Sequence, residues 1–359
     1  MVFAANCYRR RPPSCFARVV VLLAVLFCTT GLPRPGASRA GMAAETTPDV
    51  LTDKRCTADE LRKIEDAIPQ RAIVPPGRAR RLLIFDLNVG YPGPKTRFPG
   101  GVYPAHVDSS GHLSIAHANA AFTLTGRKTG AFEAVVSRDP SVFAPESLGQ
   151  FDAVCFNNTV GNPFDDAELR RSLMEFVESG GGLMGIHGAS LTFTDWFHGC
   201  RETWPEFGEM LGARGANHRE YRERVFIQVE DPGHPLTQVF DAAGFEYTSE
   251  FFRFHDPYSR DKVRVLLSID TGKTDLSGRK PERADGDYAL AWVRSYGRGR
   301  VFYSAIGHGA EVFWDPKMLE FYLGAIQFVL GDLPAPTTPS AKRTPAAQAR
   351  QKHDRRPTE

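Results

Sequence analysis

From residue 80 onward, short apolar runs of strand length alternate with stretches whose apolar positions recur at helical spacing. That alternation is the signature of an α/β domain with a mostly parallel central sheet. Strands are predicted over residues 82–87, 132–137, 151–156 and 182–187, with helices over 115–125 and 165–179. Further along, strands are predicted over 224–230, 263–269, 288–294 and 300–305, and a closing helix over 316–330. Tyr296-Gly297-Arg298-Gly299 reads as a hairpin turn between the last two strands, both glycines supplying positive φ. Upstream, residues 57–68 have helical spacing, a capping Thr57 with Glu60 three positions on, and Pro69, Pro75 and Pro76 to end the helix. One amphipathic helix has no core of its own, so residues 45–79 are expected to form an arm on the outside of a single domain spanning 80–333. The loops at 91–111 and 191–204 are long for a compact domain and are candidate lids or substrate-binding walls.

The two ends of the chain differ from this body. Residues 1–44 hold six arginines, no acid and an apolar run at 19–28. That run falls well short of the roughly 20 residues needed to span a bilayer. With small residues at Ala37, Ala40, Ala43 and Ala44 for cleavage, the segment reads as an export signal, with periplasmic or extracellular delivery expected. An uncleaved signal anchor is the alternative; Arg9-Arg10-Arg11 also fits a twin-arginine signal, and Phe27 is bulky for a residue preceding a lipid-bearing Cys28. Losing those six arginines turns the formal charge of +2 into −4, which removes the main support for nucleic-acid binding. Residues 334–359, rich in Pro, Ala, Thr and basic side chains, are expected to be a disordered tail. Cys56, Cys155 and Cys200 remain after processing, without a C-x-x-C pair, so neither a disulfide framework nor a cysteine zinc site follows.

Chemistry concentrates where strands end. Gly180 to Ser190 read Gly-Gly-Gly-Leu-Met-Gly-Ile-His-Gly-Ala-Ser, a buried strand entering a small-residue turn with His187 at its apex. Ligands of open parallel sheets bind beyond the carboxyl ends of the strands. By that rule the first strand delivers Asn88 and, after the long loop, His112; the third delivers Asn157, Asn158 and Thr159; the fourth delivers His187. His218, Glu250 and His308 also fall at strand ends. Imidazoles and a carboxylate so placed suit a divalent, zinc-like cation, for which His112, His187, His218 and His308 are the candidate ligands. His187 and Glu250 are the candidate catalytic residues, and the aromatic neighbours Tyr247, Phe251 and Phe252 are expected to raise the Glu250 pKa. Trp196 and Tyr247, among other loop aromatics, suit sugar C–H faces and join Asn88, Asn157 and Asn158 as candidate substrate contacts. The structural alternatives are a His187 that caps its own turn, a His218 paired with Glu220 or Glu223 at the surface, and a salt-bridged Glu250. His234, between Pro232 and Pro235, reads as a turn residue.

Residues 180–189, 151–158, 229–236 and 296–303 together resemble the ThuA-like (trehalose utilisation) family, over roughly 80–333. The resemblance implies a flavodoxin-like α/β sandwich of the class I glutamine amidotransferase-like superfamily. Amidotransferases there carry a nucleophilic cysteine at the elbow; His187 in its place argues against glutamine hydrolysis. The resemblance further implies action on keto-sugars, particularly 3-keto derivatives of disaccharides and glycosides, and maps a His-x-Ser-Ile motif onto His112-Leu113-Ser114-Ile115. It also assigns the elbow histidine to His187, an aromatic-flanked acid to Glu250 and a Gly-His to Gly307-His308. The insertion at 92–111 and the segment 215–221, which lacks an expected Gly-His-Pro, depart from the family pattern. The expected function is an exported sugar-processing lyase, hydrolase or isomerase, with a small sugar or glycoside as partner and no nucleotide cofactor. A non-catalytic carbohydrate-binding protein on the same fold is the alternative.

Overall fold

The computed structural model describes residues 50–89, 114–195, 201–276, 283 and 285–342. Residues 1–44, expected to be an export segment, residues 91–111, expected to be a long loop, and His112 and Trp196 lie outside them. In chain order the elements are α1 (Ala58–Ala67), β1 (Arg81–Phe85), α2 (Ile115–Thr129), β2 (Glu133–Ser137), α3 (Pro145–Leu148), β3 (Ala153–Asn157), β4 (Val160–Gly161), α4 (Ala167–Glu178), β5 (Gly182–Ile186) and β6 (Leu191–Thr192). They continue as α5 (Pro205–Leu211), β7 (Arg214–His218), β8 (Glu223–Val229), β9 (Phe245–Ser249), β10 (Phe252–His255), β11 (Arg264–Ile269), β12 (Ala289–Tyr296), β13 (Gly299–Ser304) and α6 (Pro316–Leu330). No helix among the described residues is long and apolar enough to cross a membrane.

Local chemistry explains the helix ends. Thr57 caps α1 through a capping box: Thr57 Oγ1 accepts from the Glu60 backbone at 3.3 Å, and Glu60 Oε2 accepts from the Thr57 backbone at 2.8 Å. Asp315 caps α6 ahead of Pro316, and Gly331 closes that helix at φ +88°.

Among the described residues, nine strands form one sheet in the order β2-β1-β3-β5-β13-β12-β11-β8-β9. Pairings from β2 across to β13 are parallel, and those from β13 across to β9 are antiparallel. The expectation of a mostly parallel sheet is therefore corrected to a mixed one. The reason lies between Tyr296 and Gly299: a two-residue turn reverses the chain, whereas a parallel neighbour requires a long crossover. Gly297 takes positive φ (+56°), as predicted, but Gly299 does not; it is glycine because a Cβ there would lie 2.2 Å from the Val177 carbonyl oxygen.

Helices cover both faces. A Cβ on Gly182 would strike the Val329 carbonyl of α6, and one on Gly185, on the opposite face, would meet Leu211 of α5. The arm is tied to the same core. Ile64 and Ile68 are buried in it, and the Gln327 side chain accepts from Ile73 N at 2.8 Å and donates to Val74 O at 2.6 Å. Residues 334–342, expected to belong to a disordered tail, instead dock on β11. Ser340 N donates to Val263 O at 3.0 Å, and Ser340 Oγ accepts from Val265 N at 2.9 Å. His234 Nε2 meets Pro336 O at 3.1 Å, so this buried turn histidine anchors the segment. Backbone pairing with a strand compensates for its weak apolar content; residues 343–359 lie outside the described residues.

Candidate functional site

β5 is buried along its whole length and delivers His187 into a short 3₁₀ turn, His187–Ser190. The left-handed residue of this turn is not a flanking glycine but His187 itself, at φ 44°. A non-glycine residue there costs roughly 1–2 kcal/mol and persists only where its surroundings hold it. Tyr303 OH donates to His187 O at 2.7 Å and reaches Ser190 Oγ at 3.1 Å. Gly307 lets the loop after β13 pass close by, since a Cβ on it would lie 2.6 Å from Ile186 Cγ2 and 3.1 Å from His187 Cβ. The result resembles a nucleophile elbow, with imidazole in place of a nucleophile.

Glu250, His308 and Phe252 meet this imidazole, and His218 joins them through Glu250. β7 and β10 pair antiparallel, with Phe252 opposite His218, which brings His218 at the end of β7 beside Glu250 just ahead of β10. Glu250 Oε1 lies 3.2 Å from His187 Nε2 and 3.7 Å from His308 Nδ1, while Oε2 lies 3.5 Å from His218 Nδ1. His187, Glu250 and His308 offer ligand atoms all within 4.8 Å of one another. Glu250 and His187 are buried, His308 nearly so, and the His218 side chain is 30% exposed at the rim. Phe252 lies against the His187 ring at 4.5 Å between centroids.

His187 Nδ1 sits 2.7 Å from Ala305 O. A carbonyl only accepts, so Nδ1 carries the proton and, in the neutral ring, Nε2 presents a lone pair. That lone pair faces a carboxylate oxygen, an arrangement stable only with a proton or a cation between them. A ring N–H fixed on a backbone carbonyl is also the usual support of a metal-binding histidine.

Burial alone would raise the Glu250 pKa, as the sequence led us to expect. When His187, His308 and His218 are protonated, their charges and the hydrogen bond that His187 then donates outweigh it and hold the carboxyl down to about 2. His308 is pushed down to about 4, by burial first and then by the charge on His187. Burial also lowers His218. The cluster thus combines a carboxyl that ionises readily with two histidines, His218 and His308, whose protonation burial disfavours.

The asparagines serve as scaffold. Asn157 Nδ2 donates to Ile115 O (3.1 Å) and Asn119 Oδ1 (2.9 Å), and Asn158 Nδ2 donates to Asn157 Oδ1 (3.0 Å) and Gly307 O (3.3 Å). Ser114 Oγ also donates to Gly307 O, so the start of α2 and the His308 loop are fixed together. Asn88 is buried beside them, its Nδ2 3.5 Å from Asp86 O. Tyr247 lies on β9, edge-on to Phe245 and packed against the core. Sequence reading missed Tyr303 and Asn119, and also Tyr221. Tyr221 is 61% exposed, yet its ring stacks on His308 (5.7 Å) and lies 5.0 Å from the His218 ring. A polar-flanked aromatic in a loop carries no periodic signal, so only the fold identifies it.

The family model described as ThuA, trehalose utilisation, matches residues 102–329, which include all four clustered residues. The chain belongs to the ThuA family. Among solved structures, a protein described as ThuA-like from Bacteroides uniformis aligns with 24% identity over 73% of this chain and 94% of its own, at a TM-score of 0.52. Another described as ThuA-like, from Parabacteroides merdae, aligns with 15% identity over 74% of this chain and 99% of its own, at a TM-score of 0.47. No curated protein matches the chain. In this ThuA-family protein the described cysteines do not resemble activated nucleophiles. Cys155 lies within β3, where burial pushes its thiol far up, and burial, with help from Glu60 and Asp53, pushes Cys56 up to about 11.

Proposed function

We propose that this ThuA-family protein is an exported enzyme that processes keto-sugars or oxidised glycosides by cation-assisted acid/base chemistry, on a flavodoxin-like scaffold. The parallel half of the sheet, β2-β1-β3-β5-β13, runs in the flavodoxin-like order and supports the scaffold reading. The observation that carries the functional reading is His187 Nε2 lying 3.2 Å from Glu250 Oε1, with His308 Nδ1 converging on the same oxygen at 3.7 Å. Two imidazoles and a carboxylate are a donor set of catalytic zinc sites, which keep one position open for water or substrate. A divalent, zinc-like cation held by His187, His308 and Glu250 would polarise a sugar carbonyl and acidify the adjacent C–H. His112, from the loop outside the described residues, is a further ligand in this reading, and Trp196 a further sugar contact.

Proton transfer then falls to His218 rather than to Glu250. A carboxyl held near 2 is a weak base, whereas His218 is half-buried at the rim, its protonation disfavoured by burial, and oriented by Glu250 Oε2 at 3.5 Å. Tyr221 offers its exposed face to the sugar ring between His218 and His308. Tyr221→Ala is expected to raise KM roughly two- to tenfold with little change in kcat, the worth of one aromatic contact, as read from steady-state kinetics.

The decisive experiment incubates the mature protein with oxidised and unoxidised disaccharides, with and without chelator. Turnover restricted to the 3-keto compounds and lost on chelation supports the proposal. Binding of sugars without turnover would instead make this a carbohydrate-binding protein.

A further inference from the structure

A second group of metal-ligating side chains lies outside the His187 cluster. Cys56 immediately precedes the Thr57 cap of α1, Glu60 lies in the first turn of α1, and His117 is the third residue of α2. Their ligand atoms all lie within 4.8 Å of one another, and Glu60 Oε2 is 3.2 Å from His117 Nε2. Cys56 and the His117 ring are buried, Trp314 closes over His117 edge-on at 5.7 Å, and the Glu60 side chain stays 27% exposed. The pocket is therefore dry on the sulfur and imidazole side and open to water on the carboxylate side.

We infer that Cys56, Glu60 and His117 form a binding site for a thiophilic divalent cation of the zinc type, which fastens the N-terminal arm to α2. A thiolate, an imidazole and a carboxylate are all zinc donors, and the sulfur and nitrogen select against magnesium and calcium, which take oxygen ligands. The open carboxylate side leaves room for a water as fourth ligand. Cation binding releases the thiol proton to solvent and replaces hydrogen-bonded contact between Glu60 and His117 with shared coordination. The site has a structural consequence for the first one: the turn that carries His117 also holds Ser114 and Ile115, whose hydroxyl and carbonyl fix Gly307 and Asn157. No spacing in the sequence announces the site, since Cys56 and His117 are brought together only by packing of α1 on α2.

Cobalt substitution of the chelator-stripped mature protein tests this directly. The wild type and His187→Ala should both develop a thiolate-to-cobalt charge-transfer absorption, and the wild type should bind one zinc equivalent more than Cys56→Ser does. His117→Gln should lose the same equivalent, and cobalt or zinc should raise the Tm of His187→Ala but not of the double variant His187→Ala with Cys56→Ser. A wild type without the charge-transfer band, or a Cys56→Ser protein that keeps both the band and the full zinc content, overturns the assignment. The sulfur signal belongs to this site alone among the described clusters, so it reports independently of whether His187, Glu250 and His308 hold a cation.

Discussion

Glu250→Gln is expected to lower kcat/KM on 3-keto-glycosides by roughly 10²–10⁴-fold while leaving the fold intact. The amide keeps the shape of the carboxylate but removes the negative charge on which His187, His218 and His308 converge at 3.2, 3.5 and 3.7 Å. Without it, His187 Nε2 faces a neutral group, and cation affinity and His218 orientation fall together. His187→Ala should match this loss, and the double variant should be no worse than either single one, because both remove the same unit. The pH dependence has a defined sign. His308 is depressed from 6.5 to about 4, so its lone pair remains available through the range in which an exposed histidine protonates. Cation retention should therefore persist below pH 6.5 and decline as pH falls through about 4. Equilibrium dialysis of zinc across that range, with wild type and Glu250→Gln side by side, measures both effects; a midpoint near 6.5 would show that protonation of the buried His308 does not set cation release.

Which parts of this site were legible in the sequence follows from how each is built. Strands β1, β3 and β5 are covered by helices on both faces, so they read as unbroken apolar runs, and His187 at the end of one of them stood out. Asn157, Asn158 and His308 could be placed near it by the carboxyl-end rule alone. The antiparallel half was harder. β7, β9 and β10 are short and mix polar with aromatic residues, and the strand partners that make them strands are supplied by distant segments. The meeting of His218 with Glu250 depends on the register of β7 against β10, which no local pattern encodes. The sign of the Glu250 shift was misjudged for a related reason: its sequence neighbours are aromatic and argue for desolvation, while the three histidines that reverse the shift arrive from β5, β7 and the loop after β13. The asparagines drew attention as polar groups in a crevice, yet their amides are engaged by backbone and side-chain acceptors that fix the loops.

Glu223→Ala is expected to reduce the unfolding free energy by about 3–5 kcal/mol, the cost of removing one partner from a buried ion pair. Glu223 opens β8 and is buried, and Arg253 in β10, also buried, donates through one amino group to Glu223 Oε1 at 2.8 Å and Oε2 at 3.1 Å. Arg219 adds a contact to Oε1 at 3.1 Å, and the second amino group of Arg253 donates to Phe251 O at 3.1 Å. Loss of the carboxylate strands the Arg253 guanidinium in the interior against Tyr288, its ring centroid 5.0 Å away, with a backbone carbonyl as its remaining described acceptor. Urea unfolding should show a lower midpoint with an unchanged m value. Replacing both members, Glu223→Leu with Arg253→Met, should recover most of the loss, because an apolar pair of similar volume leaves no orphaned charge. The two designs separate electrostatics from positioning. Arg253 lies three residues beyond Glu250, so if the ion pair also places that carboxylate, the double variant will regain stability but remain deficient in zinc affinity; full recovery of both would assign the placement of Glu250 to the β7–β10 ladder instead.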